Sequence, residues 1–157
     1  MSRKKAKLKK LIVFAISIIF VIVVFTALYD AKVDTLYAIK YGEVLNSYDI
    51  LQMDKYLNPD TEIIYHGQSN TYSSLRNNVE IAFTEMLYSN SVSYGHASPE
   101  FCINGEQNIG IYAYVESDKY DSTEVEMVIE RTFWIFYRVK SIKSNDSFFG
   151  YLFFREL

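Results

Sequence analysis

Several residue types that define common functional sites are scarce in this chain. Its 157 residues include one cysteine, Cys102, together with two histidines and two prolines. A single cysteine cannot form a disulfide within the chain, so the folded part depends on its hydrophobic core. His66 and His96 have no third ligand at matching spacing and do not form a zinc site. The sequence therefore predicts no metal and no cofactor.

Catalytic and nucleotide-binding motifs are also missing. The chain has no glycine-rich phosphate loop, no serine in a nucleophile elbow and no pairing of cysteine with histidine. Basic residues are scarce beyond residue 10. Six of the 16 lie in residues 1–10, and the rest of the chain contains 10 basic and 19 acidic residues. A nucleic-acid-binding surface is basic, so this composition argues against a nucleic-acid partner.

The chain does contain one long apolar run. Residues 11–29 carry no charge, and as a helix they span about 28 Å, close to the hydrocarbon thickness of a bilayer. The six cations of residues 1–10 precede the run, and the positive-inside bias predicts that this stub is cytoplasmic. The sequence thus predicts a single-pass protein of the cell membrane, with residues 30–157 as an outer domain.

Two other interpretations of the apolar run are weaker. A cleaved signal peptide usually has an apolar region of about 7–15 residues and small residues at −3 and −1 of the cleavage site. Cleavage after Ala27 or Ala31 would need small residues where Phe25 and Tyr29 stand. A buried helix of a soluble protein is disfavoured because every face of the run is apolar. An uncleaved anchor is the prediction.

The spacing of apolar residues predicts three helices in the first half of the outer domain. Residues 31–48, 50–57 and about 71–87 follow the helical period, and a short strand over 61–65 and a turn over 67–70 separate the last two. The apolar positions of the two longer helices are Val33, Leu36, Tyr37, Tyr41, Val44, Leu45, Tyr48, Leu75, Val79, Ala82, Phe83, Met86 and Leu87.

After residue 90 the apolar period becomes two, which predicts antiparallel strands. Alternation marks residues 92–96, 109–116 and 124–143, and residues 148–155 are predicted as the last strand. The segment 124–143 also fits a helical period, but its β-branched and aromatic density favours strand. Its expected core positions are Val125, Met127, Ile129, Phe133, Ile135, Tyr137 and Val139.

Helices first and strands later predict an α+β fold with three helices on one face of a curved antiparallel sheet. The element order, with the segments TEIIYHGQSNTYSSLRNNVEIAF and RTFWIFYRVKSIKSNDSFFGYLFF, resembles the nuclear-transport-factor-2-like family, also called SnoaL-like or ketosteroid-isomerase-like. The resemblance covers roughly residues 31–157 and implies a cone-shaped domain, which in this family is an active site, a ligand pocket or simply filled. An anchor followed by such a domain is similar to the inner-membrane assembly component of type IV secretion and conjugation systems.

The resemblance implies a general base, Asp or His, and Tyr donors in any catalytic cone. The candidates for lining the cone are Tyr41, Tyr65 and His66. Three acids have a suitable type, but Asp49 is interpreted as a helix cap, Asp54 as part of a solvated helix face and Asp60 as a turn residue. No catalytic residue is therefore predicted.

Four aromatic residues fall on strand faces opposite the main apolar set: Tyr112, Tyr114, Trp134 and Phe136. They predict an exposed partner surface, and the alternative is that they form packing and cross-strand pairs. The leading prediction is a non-enzymatic, membrane-tethered binding or assembly module, of bacterial composition, that binds a protein or self-associates. The alternative is a small-molecule binder or an isomerase- or dehydratase-like enzyme that uses the cone.

Overall fold

The computed structural model describes residues 3–86, 91–101, 106–116 and 122–156. These residues divide into two compact units, residues 1–33 and residues 34–157. The division lies close to the predicted boundary between the membrane segment and the outer domain.

The first unit is a single long helix. Helix α1 is Arg3–Asp30, and its segment Lys9–Asp30 is long and apolar enough to cross a membrane, with none of its apolar window buried. The hydroxyl groups of Ser17 and Thr26 each donate to a backbone carbonyl four residues earlier, at 2.9 Å. These bonds satisfy the two polar side chains of the apolar stretch within the helix itself.

The second unit contains the three helices that the apolar period predicts. They are α2 (Val33–Ser47), α3 (Ile50–Tyr56) and α4 (Tyr72–Met86). Asp49 caps α3, because its Oδ1 accepts the backbone N–H of Leu51 at 2.9 Å. The predicted role of Asp49 as a cap is therefore confirmed.

Six strands form one mixed sheet, in the order β2-β1-β6-β5-β4-β3. The strands are β1 (Glu62–Tyr65), β2 (Gln68–Thr71), β3 (Ser91–Phe101), β4 (Glu106–Glu116), β5 (Ser122–Phe133) and β6 (Phe136–Ser144). All neighbours pair antiparallel except β1 and β6, which are parallel. The prediction of a purely antiparallel sheet is therefore wrong at this pair, where a strand from the first half of the domain joins the last strand.

The predicted turn over residues 67–70 is wrong, because β2 occupies most of that segment. The turn is instead His66–Gly67, whose φ angles are 47° and 79°. Positive φ at both central residues is the geometry of a tight hairpin, and Gly67 adopts it without steric cost. The polar sequence of β2 has no apolar alternation, so its pairing with β1 left no signal in the hydrophobic pattern.

The predicted last strand over residues 148–155 is also wrong. The chain there forms α5 (Ser147–Phe149) followed by a π-helical turn (Gly150–Phe154), together called the C-terminal helical segment below. Residues 148–153 are all buried, whereas a strand would turn alternate side chains to opposite faces. Asp146 caps the segment by accepting the backbone N–H of Phe149 at 2.8 Å.

The core lies between the helices and one face of the sheet. Its sheet side is built from alternate residues of the central strands, namely Ile109, Ile111, Val125, Met127, Ile129, Val139 and Ile142. The predicted core position Phe133 is 71% exposed, because a register shift between Arg131 and Phe133 ends the alternation. Leu36, also predicted as core, is 50% exposed.

Candidate functional site

The interior beneath α2 and α3 is filled by tyrosine side chains. Tyr41 is 1% exposed and Tyr56 is 9% exposed, and the Tyr56 ring lies 6.0 Å from the rings of both Tyr37 and Tyr41. The Tyr56 hydroxyl lies 2.9 Å from the Tyr37 carbonyl oxygen and 3.1 Å from Met127 Sδ of β5. The Tyr56 hydroxyl therefore bonds within the protein itself, as a buried hydroxyl requires.

Tyr65 belongs to a different part of the core. Its ring lies 5.2 Å from that of Phe154, and its hydroxyl and ring edge lie directly over Gly150 in the C-terminal helical segment. Burial, with smaller effects of Glu156 and Asp146, raises the pKa of Tyr65. The hydroxyl therefore stays protonated at neutral pH and is no base.

His66 is exposed at the β1–β2 turn. Its ring lies 4.2 Å from the Tyr65 ring, and its backbone N–H donates to Asn145 Oδ1 at 3.1 Å. Tyr65 pairs with Ser144 at one end of β6. Ser144 is seven residues, or about 23 Å, along β6 from Tyr137, whose carbonyl oxygen accepts the Tyr37 hydroxyl. The structure thus places Tyr65 beside His66, and it places Tyr41 beside Tyr56 in the core beneath α2 and α3.

Asp54 is not on a solvated helix face, contrary to the sequence-based interpretation. Its carboxylate accepts the Tyr72 hydroxyl at 2.7 Å and two guanidinium nitrogens of Arg76, at 2.9 and 2.8 Å. The hydrogen bond from Arg76 lowers the pKa of Asp54, partial burial opposes it, and Tyr72 adds to the lowering. Such a carboxylate is a weak base at neutral pH, and its role is to join α3 to α4.

Asp60 is held by an ion pair rather than aimed into the interior. Its Oδ2 accepts from Arg138 Nη1 at 2.8 Å, and Arg138 Nε donates to Glu130 Oε1 at 2.6 Å. Among the described residues, no group of three His, Cys, Asp or Glu side chains is arranged to hold a metal. Cys102 and the side chain of His96 lie outside the described part of the chain.

An open groove of about 580 Å³ runs along the outside of the domain between α2 and α3, and we call it the α2–α3 groove. Its apolar lining includes Leu36 and Ile39, which are 50% and 53% exposed. Its charged lining is Lys40, Glu43 and Lys55. The sequence did not predict this groove, because Leu36 was assigned to the core. Ile39 could have indicated it, since it is an apolar residue off the predicted core face and lies three residues from Leu36 on the same helix.

The backbone positions of the four residues of the predicted aromatic surface fall at two places along β5. Tyr112 pairs with Glu124 and Tyr114 with Ser122, whereas Phe136 pairs with Phe133, nine residues and about 30 Å along β5 from Glu124. The side chains of Tyr112 and Tyr114 lie outside the described residues.

At the β5–β6 turn, Phe133, Trp134 and Phe136 are 71%, 45% and 59% exposed, and we call these three residues the aromatic tip. Sequence reasoning singled out two of them and assigned Phe133 to the core.

Comparison with solved structures identifies the fold. A provisionally named ketosteroid isomerase from Shewanella frigidimarina matches with a TM-score of 0.57 at 9% identity, over 70% of this chain and 92% of that one. Aln2 from a Streptomyces species matches with a TM-score of 0.56 at 13% identity, over 76% and 93%. A nuclear-transport-factor-2-like protein from Cytophaga hutchinsonii matches with a TM-score of 0.52 at 11% identity, over 73% and 96%.

No protein-family model and no curated protein matches the chain. The structural matches therefore show a nuclear-transport-factor-2-like fold, and they assign no activity to it.

Proposed function

We propose that this protein is a membrane-tethered binding module whose α2–α3 groove holds a segment of a partner protein. The anchor is α1, with residues 1–10 in the cytoplasm and residues 30–157 outside. The fold family includes both enzymes and binding modules, so the choice between them depends on the site and not on the fold.

The observation that carries this choice is that the polar groups of the described interior are engaged within the domain. Tyr41, Tyr56 and Met127 are buried, and the Tyr56 hydroxyl bonds to the Tyr37 carbonyl oxygen and to Met127 Sδ. The nearby acids Asp54 and Asp60 are engaged by Arg76 and Arg138. This arrangement favours binding over the alternative of an isomerase- or dehydratase-like enzyme, which needs an available base.

The groove supports a protein segment as the ligand. It is open along its length, and two half-exposed apolar side chains, Leu36 and Ile39, stand beside Lys40 and Lys55. Lys40 and Glu43 form an ion pair at 3.1 Å, so the charged lining of the groove has a net charge of +1. Beyond residue 10 the chain is acidic, with 19 acids and 10 bases, so even this small positive charge differs from the surroundings. A partner segment with apolar residues next to acidic ones fits this lining in both shape and charge.

Site-specific crosslinking in the native membrane tests the proposal. A photoreactive residue replaces Ile39 in the full chain, and we expect a crosslinked partner that Leu36→Asp abolishes. Leu51→Asp is the matched control, because Leu51 is 59% exposed on α3 and does not line the groove. The charge reversal Lys55→Glu should weaken the crosslink, and reversing an acid in the captured segment should restore it.

Three results would contradict the proposal. Equal crosslinking with Leu36→Asp and Leu51→Asp would show that the groove does not hold the partner. A captured segment without acidic residues would contradict the assigned chemistry. Absence of any crosslink from Ile39, in a chain that folds and stays in the membrane, would remove the groove as a binding site.

A further inference from the structure

The aromatic tip is the most exposed apolar feature of the outer domain among the residues with described side chains. Phe133 and Phe136 are paired across the two strands, so their side chains leave the same face of the sheet. Trp134 follows Phe133 in the turn and is 45% exposed. Three large aromatic side chains thus stand together at the end of a hairpin.

The backbone of the turn is unusual for the residue that it carries. Trp134 has a φ of 45°, in the left-handed region that tight hairpin turns normally fill with glycine or asparagine. A bulky L-residue there is strained, and such strain concentrates at sites that bind or act. The tip therefore holds a tryptophan where turn stability alone would favour a smaller residue.

The charge around the tip also differs from that of the outer domain as a whole, which has more acids than bases. Residues 131–137 contain one cation, Arg131, and no acid. The Arg131 guanidinium lies 5.2 Å from the centre of the Tyr137 ring and donates to the Tyr137 hydroxyl at 2.6 Å. An exposed cation among aromatic residues suits an anionic surface of phosphate headgroups.

The chain path limits how far the tip can be from the end of α1. The Tyr37 hydroxyl donates to the Tyr137 carbonyl oxygen at 2.6 Å, and Tyr137 is next to Phe136 in β6. Tyr37 follows Asp30, the last residue of α1, by seven residues. Even fully extended, seven residues reach only about 25 Å. The chain path therefore limits the distance from Asp30 to Tyr37, the residue whose side chain reaches the tip end of the domain.

We propose that the aromatic tip inserts into the headgroup and acyl boundary of the bilayer that holds α1. Tryptophan is enriched at this boundary because its ring is apolar and its N–H remains available to polar partners. Apolar side chains beside a cation are the composition of surfaces that lie in the interface. This inference rests on the proposed anchor, and it gives the domain a second attachment to the membrane.

Trp134 is the only tryptophan, so its fluorescence reports the tip directly. The full chain is reconstituted into vesicles of an equal mixture of phosphatidylcholine and phosphatidylglycerol, with and without bromine on the acyl chains near the headgroup. We expect a blue shift of the Trp134 emission relative to the unfolded chain and a loss of intensity in the brominated vesicles. Phe133→Ser with Phe136→Ser should reduce that loss.

The matched control moves the reporter along the same strand. Trp134→Phe with Glu126→Trp places the tryptophan seven residues from Phe133, about 23 Å along β5, at a position that is 67% exposed as glutamate. Its emission should be the same in both kinds of vesicle. Equal quenching of the two reporters would overturn the assignment to the tip.

An alkaline carbonate wash separates the two possible failures. If the chain stays in the vesicles but Trp134 is not quenched, the tip does not enter the bilayer, while the anchor stands. A tip that instead meets a protein would give this same unquenched signal. If the wash releases the chain, the anchor fails, and the inference fails with it.

Discussion

Asp54 shows at the scale of single residues how the domain uses its acids. Its carboxylate receives the Tyr72 hydroxyl from the first turn of α4 and the Arg76 guanidinium from the next turn. Tyr72 is 2% exposed, and burial together with Asp54 raises the pKa of its hydroxyl. The three groups therefore form one charged network that holds α3 against α4, which is a structural role.

We expect Asp54→Asn to destabilise the domain at neutral pH and much less at low pH. The folded-state pKa of Asp54 lies below its unfolded value, so its contribution is present above about pH 4 and is lost as the pH falls through the folded value. Replacing the charged acceptor should cost about 1.5–3 kcal/mol at pH 7. Urea unfolding of the full chain in detergent micelles, followed by Trp134 fluorescence across pH 3–7, measures the difference.

Arg76→Gln provides a check on the same network. Without Arg76, the largest cause of the lowered Asp54 pKa is removed, so the loss of stability on acidification should be shallower than in the unmodified chain. A cost of Asp54→Asn that is the same at pH 3 and pH 7 would contradict this account.

Close packing at Gly150 determines how the C-terminal helical segment docks as an element. A Cβ added at Gly150 would lie 2.5 Å from the Tyr65 hydroxyl oxygen and 2.6 Å from Tyr65 Cζ. Tyr65 is 6% exposed and its ring packs against Phe149 and Phe154 of this segment, so it has little room to move. Only glycine allows this approach.

We therefore expect Gly150→Ala to lower the free energy of unfolding by about 1–3 kcal/mol, the usual cost of overpacking a core. In a Tyr65→Leu background, the same substitution should cost less than about 1 kcal/mol, because the two sites are coupled. Denaturant unfolding of the four chains measures the coupling. Equal costs in the two backgrounds would show that the Tyr65 ring is not what excludes a side chain at residue 150.

The sequence predicted the elements whose hydrophobic period is strong. Helices α2, α3 and α4 have the expected bounds to within a few residues, and the alternation of Val125, Met127 and Ile129 correctly marks the buried face of β5. It did not predict the C-terminal helical segment, because a run of apolar residues such as 148–153 fits a buried strand or a buried helix equally well. Tertiary contacts with Tyr65 and α4 determine that this segment is helical. One such contact is the hydrogen bond from Asn78 Nδ2 of α4 to the Phe153 carbonyl oxygen.

The candidate site was harder to predict than the fold. The sequence pointed to Trp134 and Phe136 because they fall on the strand face opposite the main apolar set, and both are exposed at the tip. It could not show that Tyr112 and Tyr114 pair far along β5, since strand register comes from long-range pairing. For the same reason, the α2–α3 groove becomes visible only when two helices are placed side by side.

The whole molecule combines one apolar helix with a domain of nuclear-transport-factor-2-like fold. The match includes 92–96% of the residues of each solved structure but only 70–76% of the residues of this chain. The proposed function assigns the helix to membrane attachment, the α2–α3 groove to a protein segment and the aromatic tip to the lipid surface. All three assignments depend on the domain being held outside at a membrane.

Protease treatment of intact cells that carry the full chain with an N-terminal tag tests this claim most directly. We expect added protease to destroy the domain and to leave a tagged fragment, containing residues 1–30, in the carbonate-washed membrane. Neutralising the six cations of residues 1–10 should then protect part of the domain, since the charge bias that orients the helix is lost. A domain fully protected in the unmodified chain, or a chain in the medium that begins beyond residue 30, would contradict the account.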